Sequence, residues 1–64
     1  MADKEVKRKL LEFVEEIFYG VHSAEEAKAL KERLDAFYAE NSVTQEQRSI
    51  MIETGAGDML GMML

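Results

Sequence analysis

The chain is expected to be an all-α domain, a short three-helix arrangement in which a helical hairpin is followed by a shorter third helix, and it is expected to oligomerise. Three observations carry this expectation. Apolar residues recur at three- and four-residue intervals over residues 3–19 and 24–40, the period of an amphipathic helix. Proline is absent and glycine is confined to positions 20, 55, 57 and 61. Ser/Thr-x-x-Glu/Gln spacings, the signature of a helix N-terminus, stand at Ser23–Glu26 and Thr44–Gln47. The oligomer follows from size. A chain of 64 residues buries only about 60% of the surface its unfolded form exposes. Domains this small usually add a disulfide, a metal or a subunit. Cysteine is absent and His22 is the single histidine, so a subunit or standing partner remains.

The elements follow in order. The first helix is predicted from about Asp3 to Tyr19, with Asp3 as N-cap. Gly20 stands where a left-handed stop is wanted, and Val21 can supply the apolar contact that accompanies one. Ser23 and Glu26 form a capping box, each satisfying a backbone donor of the other, and open a second helix from Ala24 to about Glu40. Asn41 and Ser42 end it. Thr44 and Gln47 repeat the box and open a third helix to about Thr54. Loops of two to four residues make such helices antiparallel neighbours. Residues 1–54 read as one helical domain, and residues 55–64 as a Gly-interrupted, apolar, Met-rich C-terminal tail.

The helices carry unequal apolar faces. At about 100° per residue, Val6, Leu10, Leu11, Phe13, Val14, Ile17, Phe18 and Val21 span roughly 160° around helix 1. On helix 2, Ala27, Leu30, Leu34, Phe37 and Tyr38 span only roughly 100°, enough for one neighbour. The wider arc splits into two seams, Val6-Leu10-Phe13-Ile17-Gly20 and Leu11-Val14-Phe18-Val21. One seam suits helix 2, and the other is left for helix 3 or for a second copy of the chain.

The tail differs in composition from everything before it. Its last six residues hold five large apolar side chains, Met59, Leu60, Met62, Met63 and Leu64, with no charge. They show no one-sided helical pattern. An apolar terminus is a liability in water unless covered, and methionine moulds to irregular surfaces. Three readings compete: the chain's own core, a partner or second subunit, and a recognition signal for proteases or chaperones or weak membrane contact. Membrane contact is disfavoured because no basic residue flanks the tail.

Catalytic and metal chemistry find little support. Glu12, Glu15 and Glu16 point away from the apolar arc, and no Glu-x-x-His pair accompanies them. Ser23, Ser42 and Thr44 are better used as caps than as nucleophiles. Gly55-Ala56-Gly57 lacks the length and the lysine of a phosphate loop. The chain is read as a non-enzyme without metal or cofactor. Eight basic against thirteen acidic residues give a net charge of −5, the wrong sign for a default nucleic-acid binder. Lys4, Lys7, Arg8 and Lys9 form the one basic cluster, interleaved with Asp3 and Glu5 in favourable i,i+4 pairs. No signal-like or membrane-spanning apolar run occurs, and a cytoplasmic location is expected.

Residues 37–55 partly resemble the phage-repressor type of helix-turn-helix. Val43-Thr44-Gln45-Glu46 resembles the turn and start of a recognition helix, and Ile52-Glu53-Thr54-Gly55 its exit. The register departs from that family: Tyr38 stands where a small residue belongs, and Arg48 where a buried aliphatic belongs. The resemblance implies, as an alternative, a small transcriptional or RNA-binding regulator with a degenerate segment at 37–55. The main expectation is a non-enzymatic protein–protein interaction module: a regulator, adaptor or inhibitor that binds a protein partner, itself as a homodimer, or both. Its contact residues are expected to be Leu11, Val14, Phe18, Val21, Met59, Leu60, Met62, Met63 and Leu64.

Overall fold

The computed structural model describes residues 2–64. Four helices follow one another, α1 (Asp3–Tyr19), α2 (Ala24–Glu40), α3 (Gln45–Glu53) and α4 (Ala56–Met63). The first three lie where the caps and periodicity put them. The fourth corrects the three-helix expectation, because the tail is itself helical.

The joint between α3 and α4 explains why. Gly55 takes φ 77°, a left-handed conformation that reverses the chain within one residue. The Thr54 hydroxyl bridges the joint, donating to the Ile50 carbonyl at 2.7 Å and accepting from the Ala56 N–H at 3.3 Å. Glycines inside α4 each cost about 1 kcal/mol of helix propensity, which is why the segment reads as a tail. Ala56 and Leu60, one turn apart, are nevertheless buried, and a buried leucine contributes about 1.5–3 kcal/mol. Asp58 in the first turn faces the positive end of the helix dipole. Burial thus outweighs propensity.

Packing is asymmetric. α1 and α4 each pack against all three other helices. α2 and α3 are joined by the Arg48 guanidinium, which lies 4.4 Å from the centre of the Tyr38 ring. The core is Val6, Leu10, Ile17, Val21, Ala27, Leu30, Leu34, Val43, Met51, Ala56 and Leu60. No polar side chain is buried with them among the described residues. Against this core Phe13 of α1 meets Phe37 of α2 with ring centres 5.6 Å apart and planes tilted by 55°.

Three details at the helix ends correct the sequence reading. Ala2, not Asp3, is the N-cap of α1, and it makes no side-chain cap. Asp3 instead accepts a hydrogen bond from Gln47 Nε2 at 3.1 Å, tying the starts of α1 and α3 together. Gly20 is not left-handed but sits at φ −113°, ψ −13°. A Cβ there would lie 3.1 Å from the Glu16 carbonyl oxygen, so the glycine relieves crowding in the last turn rather than supplying positive φ. At α2 only half of the capping box forms. The Glu26 N–H donates to Ser23 Oγ at 3.1 Å, while the Glu26 carboxylate accepts from that hydroxyl instead of reaching the Ser23 backbone. The Thr44–Gln47 box is complete.

The stop of α2 uses serine where glycine is the usual residue. Ser42 takes φ 48°, and the Val43 N–H reaches back to the Tyr38 carbonyl at 3.1 Å. This is the six-to-one bond of a Schellman stop, with buried Val43 as its apolar partner. A non-glycine residue held in this conformation costs about 1–2 kcal/mol. Ser42→Gly is therefore expected to raise stability by about 0.5–1 kcal/mol, and Gly55→Ala to lower it by about 1 kcal/mol. Urea unfolding followed by circular dichroism checks both, and effects of the same sign at the two sites would contradict the assignment.

Candidate functional site

The wide apolar face of α1 is divided by what packs on it. Phe13 turns toward α2, and so does Glu16, whose carboxylate accepts two hydrogen bonds from Arg33 at 2.8 and 3.1 Å. Arg33 also covers the Phe13 ring at 5.7 Å. The Glu16 carboxylate holds the Arg33 pKa above its ordinary value. Val6, Leu10 and Ile17 point into the core. On the edge away from α2 lie Leu11, Val14 and Phe18, at three- and four-residue spacing on one strip.

That strip is incompletely covered. Leu11 is 41% exposed and Phe18 38% exposed, while Val14 between them is half-buried against the core. Lys7 stands one turn before Leu11 on the same strip. It also lines an open groove of about 520 Å³ between α1 and α3, with Leu10, Ile50, Asp3, Glu46 and Glu53. Arg8 and Glu15 flank the strip on its solvent side. Arg8 reaches Glu12 at 3.6 Å, and Lys9 reaches the same glutamate at 3.9 Å.

The nine predicted contact residues are distributed unequally. Leu11, Val14 and Phe18 are brought together. Val21 and Leu60 are core residues, and Met59 and Met63 are half-buried against the core. Met62, at 77% exposure, and Leu64, at 55%, project from the end of α4. Two further exposed apolar residues lie outside the predicted set, Tyr19 at 80% and Ile52 at 81%. The Glu16–Arg33 pair was also not legible as a link between helices, since 17 residues separate the partners. Its glutamate reads from the helix wheel as solvated.

The remaining chemistry is sparse. Among the described residues no three potential metal ligands gather, and no helix is long and apolar enough to cross a membrane. Arg48 is occupied by Tyr38, and burial raises the Tyr38 phenol pKa while Arg48 opposes the shift. No family model matches the chain, and no curated protein or solved structure is significantly similar to it.

Neighbouring positions on α1 separate the roles of core and surface. Ile17→Ala, at a position 1% exposed, is expected to cost about 2–5 kcal/mol. Phe18→Ala is expected to cost less than half as much, because its ring already meets water in the folded chain. Paired chemical denaturation curves decide it. Equal losses would place Phe18 in the core and remove the face as a candidate.

Proposed function

We propose that this chain is a small non-enzymatic protein–protein interaction module, and that its contact surface is the Leu11-Val14-Phe18 strip of α1. One observation carries the reading. Once α4 has taken its place against α1, α2 and α3, the strip still exposes two large apolar side chains one heptad apart. Residues seven apart lie on one side of a helix, the spacing with which one helix grips another. Met62 and Leu64 add a smaller apolar site at the end of α4. The charged residues bordering the strip make it a rimmed apolar contact of the kind protein interfaces use. Regulation, adaptation and inhibition all operate through such a contact, and the strip supports them equally.

The reading predicts a separation of binding from folding. Leu11→Ser with Phe18→Ser is expected to keep the helical circular dichroism spectrum and a cooperative melt. The same variant is expected to lose association, with itself or with a captured partner. A folded double variant that associates as the unaltered chain does would sink the proposal. Substituting Met62→Ser and Leu64→Ser is expected to have the smaller effect on the same assay, since these side chains lie at the terminus.

A further inference from the structure

The charges along α1 name an occupant for its strip. Lys4, Lys7, Arg8 and Lys9 lie in the first two turns, offset only by Asp3 and Glu5. Glu12, Glu15 and Glu16 follow, and no Lys or Arg occurs again until Lys28. The last turn of α1 carries no basic side chain. The helix dipole has the same sense, positive at the N-terminus and negative at the C-terminus. The helix is therefore basic at one end and acidic at the other.

We infer that the strip is covered by a second copy of this chain, whose α1 runs antiparallel to the first about a twofold axis. The inference rests on the interaction-module reading above and supplies its partner. A parallel pair would set Lys4, Lys7 and Arg8 against their own copies. An antiparallel pair sets each basic half against the partner's acidic half, and it opposes the two dipoles favourably as well.

The strip has the period such a pair needs. Lys4, Leu11 and Phe18 share one heptad position, Lys7 and Val14 the other inward position, and Arg8 and Glu15 one flanking position. In the register that sets Leu11 opposite the partner's Val14, the symmetric contact sets Val14 opposite the partner's Leu11. Phe18 then packs on the aliphatic stem of the partner's Lys7, whose ammonium reaches past it to water. Arg8 falls beside the partner's Glu15, and the twofold axis makes this ion pair twice. Arg8 is free to take that partner, since its own contact to Glu12 is long, at 3.6 Å, and its side chain is 65% exposed. Glu15 forms no ion pair within the chain among the described residues.

The contact is small. Three apolar residues per copy on a helix about 25 Å long place it at the low end of specific interfaces. The dimer forms in the micromolar to millimolar range and dissociates on dilution.

Sedimentation equilibrium over that range tests the inference. The unaltered chain is expected to dimerise, and added salt to weaken it. Arg8→Glu and Glu15→Arg are each expected to weaken the dimer by about tenfold, because each sets like charges together at both contacts. An equimolar mixture of the two variants is expected to regain much of the lost affinity. In the mixed dimer the acidic positions 8 and 15 of one variant each face a basic residue of the other, so both contacts regain opposite signs and the summed charge across the interface returns to neutral. A mere folding defect would not be rescued by mixing. The double variant, Arg8→Glu with Glu15→Arg in one chain, restores opposite signs at both contacts and is expected to dimerise as the unaltered chain does.

The chain has no cysteine, so a spin label on Glu5→Cys reports orientation. Labels are expected roughly 20 Å or more apart in the antiparallel pair, against about 10 Å in a parallel one. A short distance, a double variant no tighter than either single one, or a monomer at millimolar concentration overturns the antiparallel dimer. If the chain is monomeric but loses a heterologous partner on Leu11→Ser with Phe18→Ser, the module reading survives and only the self-pairing falls. If a dimer forms and ignores both of those substitutions, the strip itself is excluded.

Discussion

Everything in this fold depends on the docking of α4. The buried set is small, and two of its members, Ala56 and Leu60, come from the last eight-residue helix. Through them α4 packs against α1, α2 and α3 at once. Without it, α1 and α2 would share one seam, and much of the arc around α1 would face water. The helix has little intrinsic stability, with two internal glycines and a length of only eight residues. It forms because its apolar side is the missing wall of the core. Secondary structure and tertiary packing are here a single event.

The connections show the same economy of means. The ends of α2 and α3 are closed by local devices made from one or two side chains, and two of these also link separate elements. Gln47 completes the capping box of α3 with its amide oxygen, and its amide nitrogen donates to Asp3 of α1. Thr54 satisfies the end of α3 and the beginning of α4 together. Ser42 and Gly55 supply the two left-handed residues that turn the chain. Glycine does so without strain, whereas serine is strained, and Val43 behind it holds the turn by burial. The ion pairs contribute less. They lie on the surface, where such pairs typically add under about 1 kcal/mol. Glu16–Arg33 is distinguished by its two-pronged geometry and its place between α1 and α2.

Two consequences meet on α1. Its inner side is consumed by the core, and its edge toward α2 is closed by Phe13, Phe37 and Arg33. The opposite edge retains Leu11 and Phe18 in partial contact with water. A helix with this division holds core and partly exposed apolar residues side by side, as at buried Ile17 and 38% exposed Phe18. The same helix separates its charges lengthwise, which gives the exposed edge a direction as well as an apolar character. In the dimer proposed above, that apolar strip and this charge separation together match the edge to its own reversed copy.

Local chemistry is what could be read directly from the residues. Caps, periodicity and the absence of proline located α1, α2 and α3 within a residue or so, and the roughly 160° arc showed that α1 needs more than one neighbour. Leu11, Val14 and Phe18 were legible as one seam because helical spacing alone puts them there. Distant contacts had to be seen in three dimensions. Residues 55–64 look unhelical because propensity counts glycines, and only the core they enter offsets that cost. Leu60 belongs to the interior while Met62 and Leu64 do not, because a short helix can bury only one side. Glu16 finds Arg33, and Asp3 finds Gln47, through packing that no local spacing encodes. Position along the chain specifies which face a residue occupies; which faces remain open is set only when the last helix has docked.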